Sequence, residues 1–255
     1  MACAHMIIVR RGLRELFRLP VAYLIGCGTL FVVYMLSLYA AIGFAFNRQQ
    51  VLEISLINYL WPALTLVLAI PFLKKKAHVW LVFGVLIGFG GVFLTMFSGE
   101  GFSWRIFVEN VGMNYLPYVF GLVAAVSWAL YSNLSRVWGG QSESGGVPLF
   151  LLVSGLAFMS LRGFSLEHSV WTSRSVLELL YMMVFPTGLG YVFWDEAMRK
   201  GKIILVASLS YFTPLLSTII GTMYLGVRAG WQLWAGCILV IAGAAVCKLS
   251  MEDDS

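Results

Sequence analysis

Long runs of apolar residues, separated by short polar punctuation, set the pattern of this chain. Read from the N-terminus, they predict helices near residues 21–45, 51–73, 78–97, 117–138, 147–163, 176–198, 203–225 and 230–249. An α-helix needs about 20 mostly apolar residues to cross the hydrocarbon core of a bilayer, and most of these runs reach that length. The run from Val147 to Gly163 is the shortest and fits either a full span or a re-entrant segment. The longest connection, Ser98 to Leu116, carries Glu100, Trp104, Arg105 and Glu109 and is expected at the membrane interface. The expected fold class is therefore all-α, a polytopic transmembrane bundle of about eight helices.

Composition supports this. The chain is 60% hydrophobic and 11% charged, with a mean hydropathy of +0.87, whereas soluble domains carry roughly 25% charged residues. Its 255 residues leave little room for a separate soluble domain. The net charge of +5 is gathered at the ends of apolar runs, as in Lys74-Lys75-Lys76 and Arg199-Lys200, so it reads as membrane topology and not as a nucleic-acid surface. Cys3, Cys27, Cys237 and Cys247 have no metal-ligand spacing and read as packing residues.

In the eight-span arrangement the N-terminal side holds twelve basic residues: Arg10, Arg11, Arg14, Arg18, Lys74, Lys75, Lys76, Arg136, Arg199, Lys200, Lys202 and Lys248. The opposite side holds five, namely Arg48, Arg105, Arg162, Arg174 and Arg228. The richer side faces the cytoplasm by the positive-inside rule, which predicts cytoplasmic N- and C-termini in the inner (plasma) membrane.

The chain also repeats itself. At an offset of 152, Tyr59, Pro62, Leu64, Leu73, Leu81, Gly84 and Gly91 fall on Tyr211, Pro214, Leu216, Leu225, Leu233, Gly236 and Gly243, and Tyr39 falls on Tyr191. Five spans separate the copies, an odd number, so the second copy lies upside down relative to the first. Inverted-topology repeats are a common transporter architecture, with the solute site near the bilayer midplane at the repeat interface. A coincidence of Leu and Gly between two apolar helices is the plainer alternative. The offset predicts a 3+5 division: an incomplete first repeat over 1–97, a connecting loop over 98–116, and a complete five-helix second repeat over 117–255. Counterparts of the helices at 117–163 would begin before Met1, and Met6 to Gly12 aligns with Phe158 to Phe164, as the end of a further helix would. A signal peptide fits poorly, because here the apolar run precedes the arginines.

Candidate chemistry follows from the repeat. Asn58, Trp61 and Thr65 lie on one helical face, and their offset partners are Ser210, Thr213 and Ser217. Polar groups at this depth cost free energy unless they face protein or a wet cavity, so the two stripes are expected to line a solute pathway. Hydrogen bonding between helices is the competing explanation. Pro62 and Pro214, read as interior helix prolines, would free the carbonyls of Asn58 and Ser210; static kinks are the alternative. Of the aromatic residues crowding this depth (Tyr34, Tyr59, Trp61, Trp128, Tyr131, Tyr191, Trp194 and Tyr211), Tyr59, Trp61, Trp128 and Tyr211 are the first choice for a solute cavity, with Tyr131 beside them. Glu53, about one turn inside the outer end of its span, is a candidate gate or solute-amine contact, or simply an interfacial carboxylate. Asp195 and Glu196 stand four residues before Arg199 and Lys200, a spacing for helical ion pairs with a structural role. Gly84, Gly88, Gly91 and Gly243 read as close-packing points between helices. No carboxylate pair, histidine cluster, nucleotide loop or nucleophile motif is present, so neither an enzyme, a cofactor nor a metal site is expected.

The segment Glu53-Ile54-Ser55-Leu56-Ile57-Asn58-Tyr59-Leu60-Trp61-Pro62-Ala63-Leu64-Thr65 resembles the bacterial aromatic amino-acid exporters of the drug/metabolite transporter superfamily, the EamA-type, YddG-like group. Ser210-Tyr211-Phe212-Thr213-Pro214 looks like its second-half counterpart, and the similarity runs from about Tyr23 to Lys248. The resemblance implies ten helices in two inverted five-helix halves and export of aromatic amino acids or related metabolites by alternating access. This chain departs from that pattern in showing no counterpart of the first helix and little of the second. The expected function is a secondary exporter whose partners are a small solute and the lipid bilayer. A non-transporting degenerate paralogue or a membrane assembly partner is the alternative.

Overall fold

A computed structural model describes residues 19–96, 103–139, 145–163, 171–213 and 231–250, with positions 216, 219, 220 and 223 between the last two segments. In lipid every backbone N–H and C=O must find its partner within the protein, and continuous apolar runs meet that demand as helices. The described chain forms α1 (Ala22–Gly43), α2 (Arg48–Asn58), α3 (Trp61–Leu73), α4 (Trp80–Met96), α5 (Trp104–Met113), α6 (Leu116–Gly139), α7 (Val147–Gly163), α8 (Ser173–Lys200), α9 (Ile203–Leu209) and α10 (Trp231–Leu249). Wide π-type turns occupy Ala22–Cys27 in α1 and Met183–Gly190, which holds Pro186, in α8.

Polar residues mark the ends. Asn47 caps α2 by accepting from the Gln50 N–H, Ser103 caps α5, and Thr172 forms a reciprocal capping box with Ser175 before α8. Lys74 closes α3 with φ at 52°, and Lys75 and Lys76 follow it.

Among the described residues, four helices are long and apolar enough to cross a bilayer: Ala22–Gly43, Gln49–Leu73 (α2 and α3 together), Leu116–Gly139 and Ser173–Lys200. Trp80–Leu94, Val147–Gly163 and Trp234–Leu249 are shorter apolar helices. The expected span at 203–225 is described only in part, and the expected 98–116 loop contains the short helix α5. The chain is thus an all-α polytopic bundle.

Pro62 corrects one expectation. Pro62 does not sit within a continuous helix, because the chain breaks at Tyr59 and Leu60 and Pro62 falls in the first turn of α3. No N–H is needed there, so proline fits without losing a bond. The Leu60 N–H closes a tight turn onto the Ile57 carbonyl (3.0 Å), and the ladder resumes from Leu64 to Leu60 (2.9 Å). A second break follows α9, where Tyr211 and Thr213 bond back to the carbonyls of Ser208 (3.3 Å) and Ser210 (3.0 Å). Tyr59 and Tyr211 are equivalent at the 152-residue offset, so the two matched helices break within one residue of the same place. Pro214 and Ser217 lie outside the described residues.

Helices α4 and α10 form the tightest pair, running antiparallel on glycines. A Cβ on Gly91 would lie 2.8 Å from the Gly236 carbonyl oxygen and 2.7 Å from the Val240 nitrogen. A Cβ on Gly243 would lie 2.8 Å from the Gly84 carbonyl oxygen and would strike the Gly88 nitrogen. Adding or subtracting 152 turns each of these contacts into the other. That reciprocity is what a two-fold axis relating inverted copies requires. Near the centre lies α6, which packs on α1, α2, α3 and α8 and is two-thirds buried over its most apolar stretch, whereas the corresponding stretch of α8 has no buried residue.

Candidate functional site

Aromatic rings from α1, α3, α6 and α8 meet beside the first break. Trp61, at the start of α3, contacts Trp194 of α8 edge to face at 5.0 Å and Trp128 of α6 at 6.3 Å. Trp128 also lies against Tyr34 (4.5 Å), Tyr191 (5.3 Å) and Trp194 (5.8 Å). Trp128, Tyr131 and Phe31 form the buried floor, while Trp61, Tyr191 and Trp194 are half-buried at its rim. Two polar handles point inward: the Trp194 indole N–H donates to Ser132 Oγ (3.1 Å), and the Tyr191 hydroxyl lies 3.4 Å from that of Tyr34. The cluster offers flat apolar faces with a few hydrogen-bonding edges, the chemistry that suits an aromatic solute.

The polar stripe is only partly open. Thr65 is fully buried and bonds back to the Trp61 carbonyl (2.7 Å), and its own carbonyl accepts from Asn133 of α6 (3.0 Å). Ser210 is buried and bonds back to Ala207, while Thr213 is exposed. These two positions therefore serve helix geometry and the outer surface more than a shared channel wall. Asn58 differs, since its side-chain oxygen is buried with no hydrogen-bond partner. The Asn133 amide oxygen, Ser208 Oγ and the Tyr211 hydroxyl share that condition. Three of the four (Asn58, Ser208, Tyr211) lie at or within three residues of the two helix breaks. Leaving such a group unpaired costs about 1–3 kcal/mol, and unpaired groups of this kind in native proteins mark strain, a functional role or a water site. Tyr59 packs with Tyr211 in a different core, against α4, α9 and α10, and the Tyr211 ring lies on Gly88.

Buried carboxylates pin both ends of α6. At one end Glu53 of α2, 1% exposed, accepts from the hydroxyl of Tyr118 on α6 (2.5 Å), from Asn110 of α5 (3.2 Å) and from Gln49 (3.3 Å). Glu53 is thus not a solvated interfacial group: it ties α5 over the ends of α2 and α6. At the other end Asp195 of α8 accepts from Tyr131 of α6 (2.8 Å), from Tyr23 of α1 (2.9 Å) and from Arg199 Nε (2.7 Å). Arg136 of α6 donates to the last carbonyls of α8, including that of Met198 at 3.3 Å. The expected Asp195–Arg199 and Glu196–Lys200 pairs both form, the first buried and the second exposed. Tyr118 and Tyr131 are thirteen residues apart, about 20 Å along a helix, and Trp128 lies between them.

Of the four aromatic residues favoured from the sequence, Trp61 and Trp128 lie in this cluster, whereas Tyr59 and Tyr211 pack in the other core; Tyr34, Tyr191 and Trp194 join the cluster from the wider set. Sequence reading passed over Asn133 and Ser132 entirely. The signal was available: Ser127, Ser132, Asn133 and Ser135 crowd one apolar run and all are buried, and intramembrane polar groups point to the bundle interior.

Apolar helices long enough to cross a bilayer, with rings and unpartnered polar atoms beside two helix breaks, mark a multi-pass membrane protein. A family model for the EamA-like transporter family matches residues 116–248. The aromatic amino acid exporter YddG of Salmonella typhimurium is 28% identical over 245 residues, covering 96% of this chain and 83% of that protein. The protein of the same name from Ancylobacter novellus is 32% identical, over 77% of this chain and 67% of that protein. A solved crystal structure at 27% identity superposes with a TM-score of 0.80, covering 97% of this chain and 81% of its own. The chain belongs to the EamA-like transporter family, and it is a transporter rather than an enzyme.

Proposed function

We propose that this protein exports small metabolites, foremost aromatic or other amino acids, across the inner membrane by alternating access, with both termini in the cytoplasm. The observation that carries the proposal is the cluster of Trp61, Trp128, Tyr191 and Trp194 beside the break at Tyr59–Leu60. Relatives named as aromatic amino acid exporters support the solute class, and the basic-residue asymmetry supports the orientation. In this scheme Asn58, Trp61, Trp128 and Tyr131 stand at the pathway, and Tyr59, Pro62 and Thr65 shape the broken helix that carries Trp61. In the second half, Ser210 and Tyr211 shape the break after α9. Glu53 acts as the gate at the outer end, and Asp195 closes the inner end.

The test is counterflow of radiolabelled phenylalanine into proteoliposomes containing the purified chain. Trp61→Ala and Trp194→Ala are each expected to raise the KM about two- to tenfold, since losing an edge-to-face ring contact worth about 0.5–1.5 kcal/mol weakens solute binding. Trp194→Phe is expected to have a smaller effect. Unchanged KM in both alanine variants would move the solute site elsewhere. Absence of any transport by the well-folded chain would favour a membrane assembly partner, a reading that the uncovered apolar face of α8 also suits.

A further inference from the structure

Helices α7 and α8 pack on each other through the Tyr191–Lys200 part of α8 and less closely along its π-wound segment Met183–Gly190. Between them, with Met35 of α1 at the back, lies a cavity of about 550 Å³. One wall runs from Pro148 to Met159 on α7 and the other from Met183 to Phe193 on α8. Eleven and ten helical steps make each wall about 15–16 Å long. The space is therefore a slot along the helix axes and not a compact pocket.

Its chemistry is unlike that of the aromatic cluster. The lining has no charged residue and only two hydroxyls, Ser154 and Thr187. Ser154 is buried, with its Oγ committed to the Phe150 carbonyl at 2.8 Å. An ammonium or carboxylate entering the slot would find no counter-charge and would lose its hydration without replacement. The mouth opens sideways among residues that face away from the bundle, including Leu156, Met159 (73% exposed) and Phe193. In a membrane-embedded chain of this family the medium on that side is hydrocarbon. Three methionines, Met35, Met159 and Met183, line the slot and adapt to a flexible guest. Glycines at 155 and 188 keep it open, and a Cβ placed on Gly155 would meet nothing within 4 Å.

We propose that this slot is a lipid site that seats one acyl chain of a membrane phospholipid. The chain lies parallel to α7, enters from the bilayer past Met159 and Phe193, and provides packing for the wide turns of α8 that protein side chains leave uncovered.

The experiment uses the full chain in nanodiscs of phosphatidylethanolamine and phosphatidylglycerol doped with a phosphatidylcholine that carries a diazirine at mid-chain. After irradiation, adducts are mapped by peptide mass spectrometry. Adducts on 148–159 and 183–193 are expected to exceed those on the comparably exposed face of α10 at Trp234, Ile238 and Ile241. Gly155→Phe fills the slot and is expected to bring labelling of its walls down to the α10 level, while labelling of α10 stays unchanged and reports an intact fold. Gly155→Leu, the milder filling, is expected to give an intermediate decrease even where the phenylalanine variant folds poorly. No enrichment over α10, or wall labelling that both variants leave unaltered, would overturn the proposal. Loss of wall labelling on adding saturating phenylalanine would also overturn it, by assigning the slot to the transported solute.

Discussion

Asp195 shows what a single side chain must satisfy inside this bundle. Its carboxylate is 1% exposed and its partner Arg199 2%, and the effective penalty for desolvating such groups is several kcal/mol per ion. Two tyrosine hydroxyls and a guanidinium N–H, all within 2.9 Å, offset that cost. Asp195→Asn keeps the shape but removes the negative charge opposite Arg199. It is expected to destabilise the protein by about 3–5 kcal/mol, read as a lower melting temperature in detergent. Replacing both partners, Asp195→Leu with Arg199→Met, is expected to recover much of the loss, because an apolar pair needs no counter-charge. A single variant as stable as the parent would show that the network contributes little. The same residue is legible in the sequence only as one half of an i,i+4 pair. Tyr23 and Tyr131 stand 172 and 64 residues away in the chain, and nothing local announces that they converge on it.

At the scale of elements, the α4–α10 pair depends on backbone approaching backbone. Gly91 and Gly243 face a peptide nitrogen and a carbonyl oxygen of the opposite helix, neither of which can rotate away as a side chain would. Gly91→Ala and Gly243→Ala are expected to push the helices apart and cost about 1–3 kcal/mol each. Gly90→Ala, one residue along the same helix with nothing within 4 Å of its new Cβ, is the control and is expected to be neutral or mildly stabilising, since Ala forms helix better than Gly. Thermal unfolding of the three variants in one detergent checks this, and equal losses in all three would refute the seam. The breaks after Asn58 and Leu209 belong to the same scale. Proline at position 62 signals an irregularity, yet whether it kinks a helix or begins one depends on where the preceding ladder stops, and that is set by packing around Tyr59 and Tyr211.

For the whole molecule, α6 acts as a rod held at one end by Glu53 and at the other by Asp195. The proposed alternating access requires one end to part while the other stays closed. In a background with the native cysteines replaced, a probe at Ser132→Cys, nearly isosteric and fully buried, reports which side opens. Glu53→Gln is expected to admit an impermeant thiol reagent from outside the cell, and Asp195→Asn from the cytoplasmic side. Labelling from the same side in both variants would refute opposed latches, and interchange of the two sides would reverse the orientation argued from the basic residues.

Apolar run lengths, basic clusters and the 152-residue echo are properties of the sequence by itself. They determined that this chain is a helical membrane bundle and where most of its helices run, and the echo raised the expectation of an inverted repeat. Each rests on free energies that are additive or local: hydrocarbon transfer along a helix, charge at its ends, glycine where backbones touch. Only the tertiary structure decided which aromatic residues gather, that Glu53 and Asp195 are buried and bonded, that Asn133 faces α3, and that Pro62 opens a helix instead of bending one. Those outcomes depend on how helices rotate about their own axes and which neighbours they meet. A helix with apolar residues on every side carries no amphipathic stripe to specify its rotation, so contacts between segments distant in the chain must supply it.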